Sequence, residues 1–216
     1  MLFYWKKTIN IVWYITSDIW KGESMPPVVK YSKEKILETA LNIVNARGIE
    51  CVSARNIAKE LGCSICPIFS CYESMNSLFA ALIEKMRVIY VNFLEEKMKL
   101  CEKPYKGAGL AYIGFAREYK NYFKALFMND FNGSSITSML DDADANFDNE
   151  VIIGIISKTY GISKEDAKII HSYNWIFVHG IATMLVTSYC NFSDEEIDKM
   201  LSVEYQSLLK YYKENK

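Results

Sequence analysis

Two short helical patterns separated by a glycine, between residues 53 and 72, constrain the fold of this chain more than any other feature. Ser53 precedes the first pattern, and its hydroxyl can accept a hydrogen bond from an unpaired amide in the first turn of a helix. Ile57 and Leu61 are four residues apart and therefore share one face of that helix. Gly62 can adopt the left-handed conformation that ends a helix. A short helix followed by a tight turn is therefore predicted.

A second short helix is predicted after the turn. Ser64 is its expected N-cap, and Pro67 is tolerated in the first helical turn because no intrahelical hydrogen bond is lost there. Ile68 and Tyr72 are four residues apart and are predicted to face inward. The residues left on or near the outer faces are Ile65, Cys66, Phe69, Ser70 and Cys71. Two helices with such a turn form a helix-turn-helix unit, whose second helix can enter the major groove of DNA; an ordinary helical hairpin is the alternative.

Charge is unevenly distributed along the 216 residues, although the net charge is only −1. Residues 26–90 contain eight Lys or Arg and six Asp or Glu, a net charge of +2. Residues 91–216 contain fourteen basic and eighteen acidic side chains, a net charge of −4. This asymmetry fits a small nucleic-acid-binding module attached to a body that does not bind nucleic acid.

The six cysteines do not indicate a disulfide framework. Half of the residues are hydrophobic, so the chain can bury a sizeable core without disulfides, and a reducing cytoplasmic location is expected. Cys63, Cys66 and Cys71 have C-x2-C-x4-C spacing, but His171 and His179 are too distant in sequence to suggest a fourth zinc ligand. Small apolar filling is favoured, with a metal site and thiol redox sensing as alternatives. We predict no metal and no cofactor.

Residues 1–24 differ in character from the rest of the chain. They are rich in aromatic residues, and their longest uncharged run, Thr8–Ser17, is too short to span a membrane. The tripeptide Lys21-Gly22-Glu23 can be encoded by a purine-rich ribosome-binding sequence shortly before Met25. We therefore expect 1–24 to be a translated leader or a disordered extension, with the native start at Met25, and we predict no membrane partner.

Helices are also predicted on both sides of the 53–72 segment. Ser32 can cap a helix with an apolar stripe that ends at Gly48. Ser74 can cap a long helix that continues to about Leu100. The predicted order is therefore a helix, a helix-turn-helix and a long connecting helix.

Six short motifs occur between residues 36 and 82. They are Ile36-Leu-Glu-Thr-Ala-Leu, Arg47-Gly, Ser53-x-Arg55-x-Ile57-Ala58, Leu61-Gly62-Cys-Ser64, Ile68-Phe69 and Leu78-Phe79. Their joint spacing resembles the N-terminal domain of the TetR family of bacterial transcriptional regulators, and Trp175-Ile-Phe-Val-His179-Gly180 is similar to a segment found in many members. The resemblance implies an all-α fold, with a three-helix DNA-binding domain at 26–78 and a helical ligand-binding and dimerisation domain at 79–216.

The resemblance also implies a set of DNA-binding residues. The set is Ser53, Arg55, Ser64, Ile65, Cys66, Phe69, Ser70 and Cys71. The family commonly has Tyr, His and Lys where Phe69, Cys71 and Met75 stand here, and those side chains usually meet phosphates. Their replacement predicts either low DNA affinity or greater dependence on Ser53, Arg55, Lys59 and backbone amides.

The rest of the chain predicts a helical body. Pro104 and the glycines at 107 and 109 are expected to break or bend the chain after the long helix. Ser163 and Ser193 are expected to cap the last two helices. Helices are predicted at 110–118, 119–128, 147–160, 163–189 and 193–213, with the acidic segment 129–146 as a solvated loop.

The body is also expected to form a dimer and to bind an effector. The last two helices carry more apolar surface than one subunit can hide, which predicts an isologous four-helix bundle; packing within the monomer is the alternative. The expected effector walls are Met86, Tyr90, Phe93, Tyr112, Phe115, Phe123, Phe127, Tyr173, Trp175 and His179. Their phenols indicate an apolar or aromatic ligand with a few hydrogen-bonding groups, and core filling is the alternative for each residue.

No catalytic constellation occurs in the sequence: it has no glycine-rich phosphate loop, nucleophile elbow or His-x-x-x-His pair. His171 and His179 are eight residues apart on one predicted helix and are expected to be satisfied core or interface histidines. We therefore predict a non-enzymatic, dimeric regulator, a repressor of a palindromic operator that a small hydrophobic or aromatic effector releases. The alternative is a small-molecule-binding or thiol redox-sensing helical protein with weakened DNA binding.

Overall fold

The computed structural model describes residues 31–128 and 149–214. Within these ranges the chain forms nine α-helices and one short 3-10 helix, Ile49–Cys51, and no β-strand. The α-helices are α1 (Lys33–Arg47), α2 (Ala54–Leu61), α3 (Cys66–Cys71), α4 (Met75–Lys99), α5 (Pro104–Glu118), α6 (Lys120–Phe127), α7 (Asn149–Tyr160), α8 (Lys164–Val186) and α9 (Asp194–Glu214). The all-α prediction is confirmed. The predicted leader at 1–24 and the predicted loop at 129–146 lie outside the described residues.

Four serine caps predicted from the sequence are confirmed. In each, the serine hydroxyl accepts a hydrogen bond from the backbone amide three residues further along the chain. Two of them form reciprocal capping boxes, because the backbone amide of Ser74 donates to Ser77 and that of Ser193 donates to Glu196. The capping serines are Ser53, Ser74, Ser163 and Ser193.

Helix α4 ends at Lys99 and α5 begins at Pro104, so the predicted break after the long helix occurs, but the glycines at 107 and 109 lie inside α5 and do not break the chain. Proline suits the first turn of a helix, where its missing N–H would have no intrahelical acceptor. Gly107 is needed for space, since a Cβ atom there would lie 2.8 Å from the Cβ of Cys101. The glycine therefore lets α5 start close to the end of α4. The other predicted helix ends of the body agree with the structure to within three residues.

Helix α5 lies at the centre of the body. It packs along α4 and α8, and it also contacts α6, α7 and α9. Helix α1 packs against α2, α3, α4 and α6, so it contacts both the helix-turn-helix and the body. The described residues from Lys33 onward pack as one compact unit, and a domain boundary near residue 78 stays a prediction.

Helix α8 is the one described helix that is long and apolar enough to cross a membrane by length and composition. Its most apolar window has a mean hydropathy of 1.3, and 44% of that window is buried. Its buried residues include Ile170, Val178 and Leu185, and α5, α7 and α9 pack against it. Burial among these helices accounts for its apolar composition.

Substitution of two glycines should separate the backbone constraint at the turn from ordinary helix propensity. Gly62 has a φ of +65° and Gly154 lies inside α7, and a Cβ atom at either site would meet nothing within 4 Å. Gly62→Ala should therefore lower the free energy of unfolding by about 1 kcal/mol, through left-handed strain alone. Gly154→Ala should raise it by about 0.5–1 kcal/mol. Urea unfolding at equal protein concentration measures both, and two shifts of the same sign would contradict the assignment of strain to Gly62.

Candidate functional site

The α2–α3 unit has the geometry of a helix-turn-helix. Ser53 accepts a hydrogen bond from the amide of Asn56 at 3.2 Å, which fixes the start of α2. Gly62 ends α2 with φ 65° and ψ 38°, the left-handed conformation predicted from the sequence. Ile57 is fully buried, so the inner face of α2 anchors the unit to the rest of the protein.

Helix α3 has one buried face and one exposed face. Ile68 is 0% exposed and Tyr72 is 3% exposed, which confirms the prediction that both face inward. Ile65 and Phe69, four residues apart on the opposite side, are 43% and 45% exposed. A pair of large apolar side chains therefore stands in solvent on the outer surface of a helix that carries no charged residue.

The predicted role of Ser64 as the N-cap of α3 is wrong. The N-cap position is Ile65, the helix starts at Cys66, and no side chain caps it. A serine cap at Ser64 would serve the amide three residues on, but that residue is Pro67, which has no N–H. Ser64 is instead an exposed residue of the turn.

Most of the predicted DNA-binding residues are exposed on this unit. Arg55 and Lys59, four residues apart on α2, are both exposed, and Ser70 on α3 donates from its hydroxyl to the carbonyl of Cys66 at 3.0 Å. The hydroxyl oxygen of Ser70 keeps its capacity to accept a hydrogen bond. The exposed members are Arg55, Ser64, Ile65, Cys66, Phe69 and Ser70, and the partly buried ones are Ser53 and Cys71.

Two contacts that were not predicted from the sequence fix the unit to α1. The hydroxyl of Tyr72 donates to the carbonyl of Lys33 at 3.2 Å, and the Lys33 ammonium lies 4.9 Å from the centre of the Tyr72 ring. Arg47, at the other end of α1, pairs with Glu60 of α2 at 2.8 Å. The two helices of the unit are therefore held at opposite ends of α1.

Helix α6 joins α1 to the body through a second pair of hydrogen bonds. The buried hydroxyl of Tyr122 donates to the carbonyl of Leu41 at 3.3 Å. The side-chain amide of Asn121 donates to the carbonyl of Asn45 at 2.9 Å. A movement of α6 would therefore act directly on the helix that holds α2 and α3.

The comparisons with known proteins give a likeness in structure alone. No family model and no curated protein matches the sequence. A TetR-like transcriptional regulator from Rhodococcus sp. RHA1 matches 85% of this chain and 97% of its own, with a TM-score of 0.58 and 16% identity. The chain has a TetR-like fold. A protein of unknown function from Rhodococcus sp. RHA1 shares that fold over 88% of this chain and 98% of its own, with a TM-score of 0.63 and 17% identity.

Within this TetR-like fold, most of the predicted effector walls pack against one another. Met86, Phe115 and Phe123 are fully buried. Ring contacts with centroid separations of 4.9–6.2 Å link Tyr90, Phe93, Tyr112, Phe115, Phe123, Phe127, Trp175 and His179. Two cavities border this aromatic core. One is only about 60 Å³, below the size that holds a small-molecule ligand, and the other, of about 710 Å³, lies between α4, α5 and α9 and is lined by Phe93. Tyr173 is 52% exposed and lies outside the aromatic core.

The two histidines of α8 point towards α5, in agreement with the prediction that they face the same way. His179 shares a hydrogen bond of 2.9 Å with the hydroxyl of Tyr112, and His171 shares one of 3.4 Å with the hydroxyl of Tyr105. Burial lowers the pKa of His171 to about 4 and also lowers the pKa of His179. Both imidazoles are therefore neutral at pH 7.

A cavity of about 340 Å³ lies elsewhere in the TetR-like body, between α5, α7, α8 and α9. Tyr105, Tyr160 and Tyr205 line it, each from a different helix, and the Tyr205 ring lies 4.7 Å from that of Tyr105 and 5.5 Å from that of Tyr160. The sequence analysis did not select these tyrosines. They are more than 40 residues apart in sequence, so no local pattern joins them.

A half-buried carboxyl group lies behind this cavity. The side-chain amide of Asn174, which lines the cavity, donates to Glu204 Oε2 at 2.6 Å. Burial raises the pKa of Glu204 to about 7, and the hydrogen bond from Asn174 lowers it only in part. Glu204 makes no ion pair with any residue in 31–128 or 149–214.

Glu204 should make stability depend on pH near neutrality. Its pKa in the folded protein, about 7, lies above the ordinary 4.5, so folding favours the protonated carboxyl. The stabilisation is complete below pH about 4.5 and is lost as the pH rises through about 7. As the pH increases from 4.5 to 8, the thermal midpoint of Glu204→Gln should therefore rise relative to that of the unsubstituted protein at the same pH.

The matched control for this titration is Glu84→Gln, at a carboxylate on α4 whose side chain is 69% exposed. Its difference from the unsubstituted protein should stay nearly constant over the same pH range. A Glu204→Gln profile parallel to the Glu84→Gln profile would contradict the raised pKa of Glu204.

Proposed function

We propose that this protein is a cytoplasmic transcriptional regulator that binds DNA as a dimer through α2 and α3. The observation that carries the proposal is the two-sided α3: Ile68 and Tyr72 are buried, while Ile65 and Phe69 stand exposed on a helix-turn-helix. A helix whose inner face is packed against the protein and whose outer face is exposed to solvent is suited to entry into a major groove. The TetR-like fold of the chain supports the proposal.

DNA recognition by this α3 would depend on apolar contacts and on DNA shape. The exposed side chains of Ile65 and Phe69 can touch thymine methyl groups, and the Ser70 hydroxyl oxygen can accept a hydrogen bond from the amino group of adenine or cytosine. Helix α3 has no arginine, lysine, asparagine or glutamine, which are the residues that make two-bond contacts with guanine or adenine. Contacts to phosphate would come from α2, where Arg55 and Lys59 are exposed, and from backbone amides.

Arg55→Ala should weaken operator binding and reduce its dependence on salt. A dimer would lose two phosphate contacts, one in each subunit. The slope of log affinity against log salt concentration should therefore fall in magnitude by about 2. Arg87→Ala, at a partly exposed arginine far along α4, is the matched control and should leave the slope unchanged. Fluorescence anisotropy with DNA from beside the protein's own gene measures both. An unchanged slope in Arg55→Ala would remove this residue from the interface.

The proposed dimer would form through α8 and α9. Exposed apolar side chains make a stripe at helical spacing along α8, at Ile169, Tyr173, Ile176 and Met184. Helix α9 exposes Val203 and Tyr211 eight residues apart. Pairing of these stripes with their copies gives an isologous four-helix bundle, whose two-fold axis suits a palindromic operator. Tyr173, outside the aromatic core, thus has a proposed place in the interface.

Ile176→Asp should convert the dimer into a monomer, because it places a charge in the middle of the apolar stripe. The side chain of Ile176 is 42% exposed, so the substitution should not unfold the subunit. Leu100→Asp is the matched control, since Leu100 is an 83% exposed apolar residue in the segment between α4 and α5. Light scattering after gel filtration gives the two masses. A dimer that persists in Ile176→Asp, or dissociates equally in Leu100→Asp, would place the interface elsewhere.

Regulation would follow from the connection between the body and α1. A ligand that favours one arrangement of the body would act on α6, which is bonded to α1 through Tyr122 and Asn121. A shift of α1 would change the distance between the two α3 helices of a dimer, which must match half-sites about one turn of DNA apart. A small hydrophobic or aromatic effector would then release a repressor from its operator.

One observation favours a second candidate, a ligand-binding or thiol-sensing protein with weak DNA binding. Helix α3 carries no charge, and Cys66 is exposed on its outer surface. An electrophoretic shift assay on DNA from beside its own gene separates the two candidates. Specific retardation supports the regulator, and its absence at low salt, together with ligand binding, supports the second candidate.

A further inference from the structure

The cavity between α5, α7, α8 and α9 has a wall of three tyrosine rings. Tyr205 lies between Tyr105 and Tyr160, at centroid distances of 4.7 and 5.5 Å. The hydroxyl of Tyr205 is buried beside the Tyr160 side chain. The faces of phenol rings carry negative potential, so a cluster of them attracts a positive charge.

The charged groups around the cavity add to this potential. Glu204, with no cationic partner among the described residues, lies behind the cavity wall on the far side of the Asn174 amide. Lys106 lines the cavity, but its ammonium is paired with Asp198. Lys103, the other lysine of the lining, is exposed beside Glu102, so both lie where the cavity opens to solvent. The lining is therefore aromatic, with its lysines paired or at the rim, and the Glu204 carboxyl next to Asn174 becomes negative as the pH rises through about 7.

We propose that this cavity binds an organic cation, an amine or a quaternary ammonium with an apolar body. The wall of three rings would contact the cationic head, and the Glu204 carboxylate would supply a negative charge that no cationic side chain of the described residues neutralises. The volume of about 340 Å³ is in the range that holds small-molecule ligands. The claim that this cavity binds the regulatory effector rests on the function proposed above. The claim that it binds an organic cation does not.

Three probes that differ mainly in charge test the ligand class. Benzyltrimethylammonium is the cation, neopentylbenzene is its uncharged isostere, and phenylacetate is an anion of similar size. Isothermal titration and thermal shift should show the cation binding at least about tenfold more tightly than either of the others. Equal binding of cation and isostere would overturn the cationic class, stronger binding of phenylacetate would assign the site to the lysines, and no binding by any probe would overturn the site.

Two substitutions locate the binding. Glu204→Gln keeps a side chain that can still accept the hydrogen bond from Asn174. It should weaken binding of the cation about tenfold and leave the affinity for the uncharged isostere unchanged. Tyr205→Leu removes the central ring and should also weaken binding of the cation about tenfold. Glu84→Gln on α4 is the control and should bind the cation normally. If Tyr205→Leu fails to fold, Tyr205→Phe, which keeps the ring and removes the buried hydroxyl, should retain most of the affinity.

The pH dependence provides a readout that a merely structural role of Glu204 would not give. The cation carries no titrating proton, so its affinity should rise as pH increases through about 7, where Glu204 ionises. The facing groups do not change charge there: burial holds the pKa of His171 near 4 and raises the pKa values of Tyr105 on α5 and Tyr205 on α9 well above neutrality. Tyr160 on α7, Asn174 on α8 and the Lys106–Asp198 pair also face the cavity, and Glu102 and Lys103 lie at its rim. A flat profile in the unsubstituted protein would overturn the role of Glu204.

The experiment separates this inference from the proposed function. Probe binding is measured on the full-length protein without DNA, and operator binding is measured without the probe. Cation binding without any operator binding would uphold the site and refute the regulator. Operator binding without cation binding would refute the site and leave the regulator standing. Release of DNA by benzyltrimethylammonium, lost in Glu204→Gln, would support both.

Discussion

The packing of α5 is the constraint on which the body of this protein depends. Helices α4 and α6 to α9 all contact it, and they can do so because small residues alternate with aromatic ones along its length. Tyr105 and Tyr112, seven residues apart, share hydrogen bonds with His171 and His179, eight residues apart on α8. Seven and eight residues rise about 10.5 and 12 Å along a helix, so the two pairs fix the register of α5 against α8 in a parallel arrangement. Both the aromatic core and the cavity lined by the three tyrosines include residues of these two pairs, Tyr112 and His179 in the core and Tyr105 in the cavity.

The local features of the fold could be predicted from the sequence because they depend on neighbouring residues. The serine caps, the left-handed Gly62 and the inward-facing Ile68 each follow from a few adjacent positions. Where local rules conflicted with packing, packing decided the structure. Gly107 suggests a break when read alone, yet it belongs to a helix because a neighbouring Cys101 leaves room for no side chain.

The contacts between distant segments could not be predicted in the same way. The hydrogen bonds from α6 to α1 join residues 76 and 81 positions apart, and no pattern in the sequence marks them. For the candidate ligand site, the sequence distinguishes aromatic from polar residues but does not distinguish rings that fill a core from rings that face a cavity. Phe115 is completely buried while Tyr205 lines the cavity, although both were apolar positions on predicted helices.

The absence of charge on α3 has a consequence for how such a regulator would be distributed in a cell. Binding to random DNA is almost wholly electrostatic, so a reading helix without cations contributes little to it. Non-specific sites on the chromosome would then bind fewer copies of the regulator, and a larger fraction of the copies would stay unbound in solution. A small number of copies could occupy one operator, and the salt dependence of that occupancy would come from the exposed cations of α2 and not from α3.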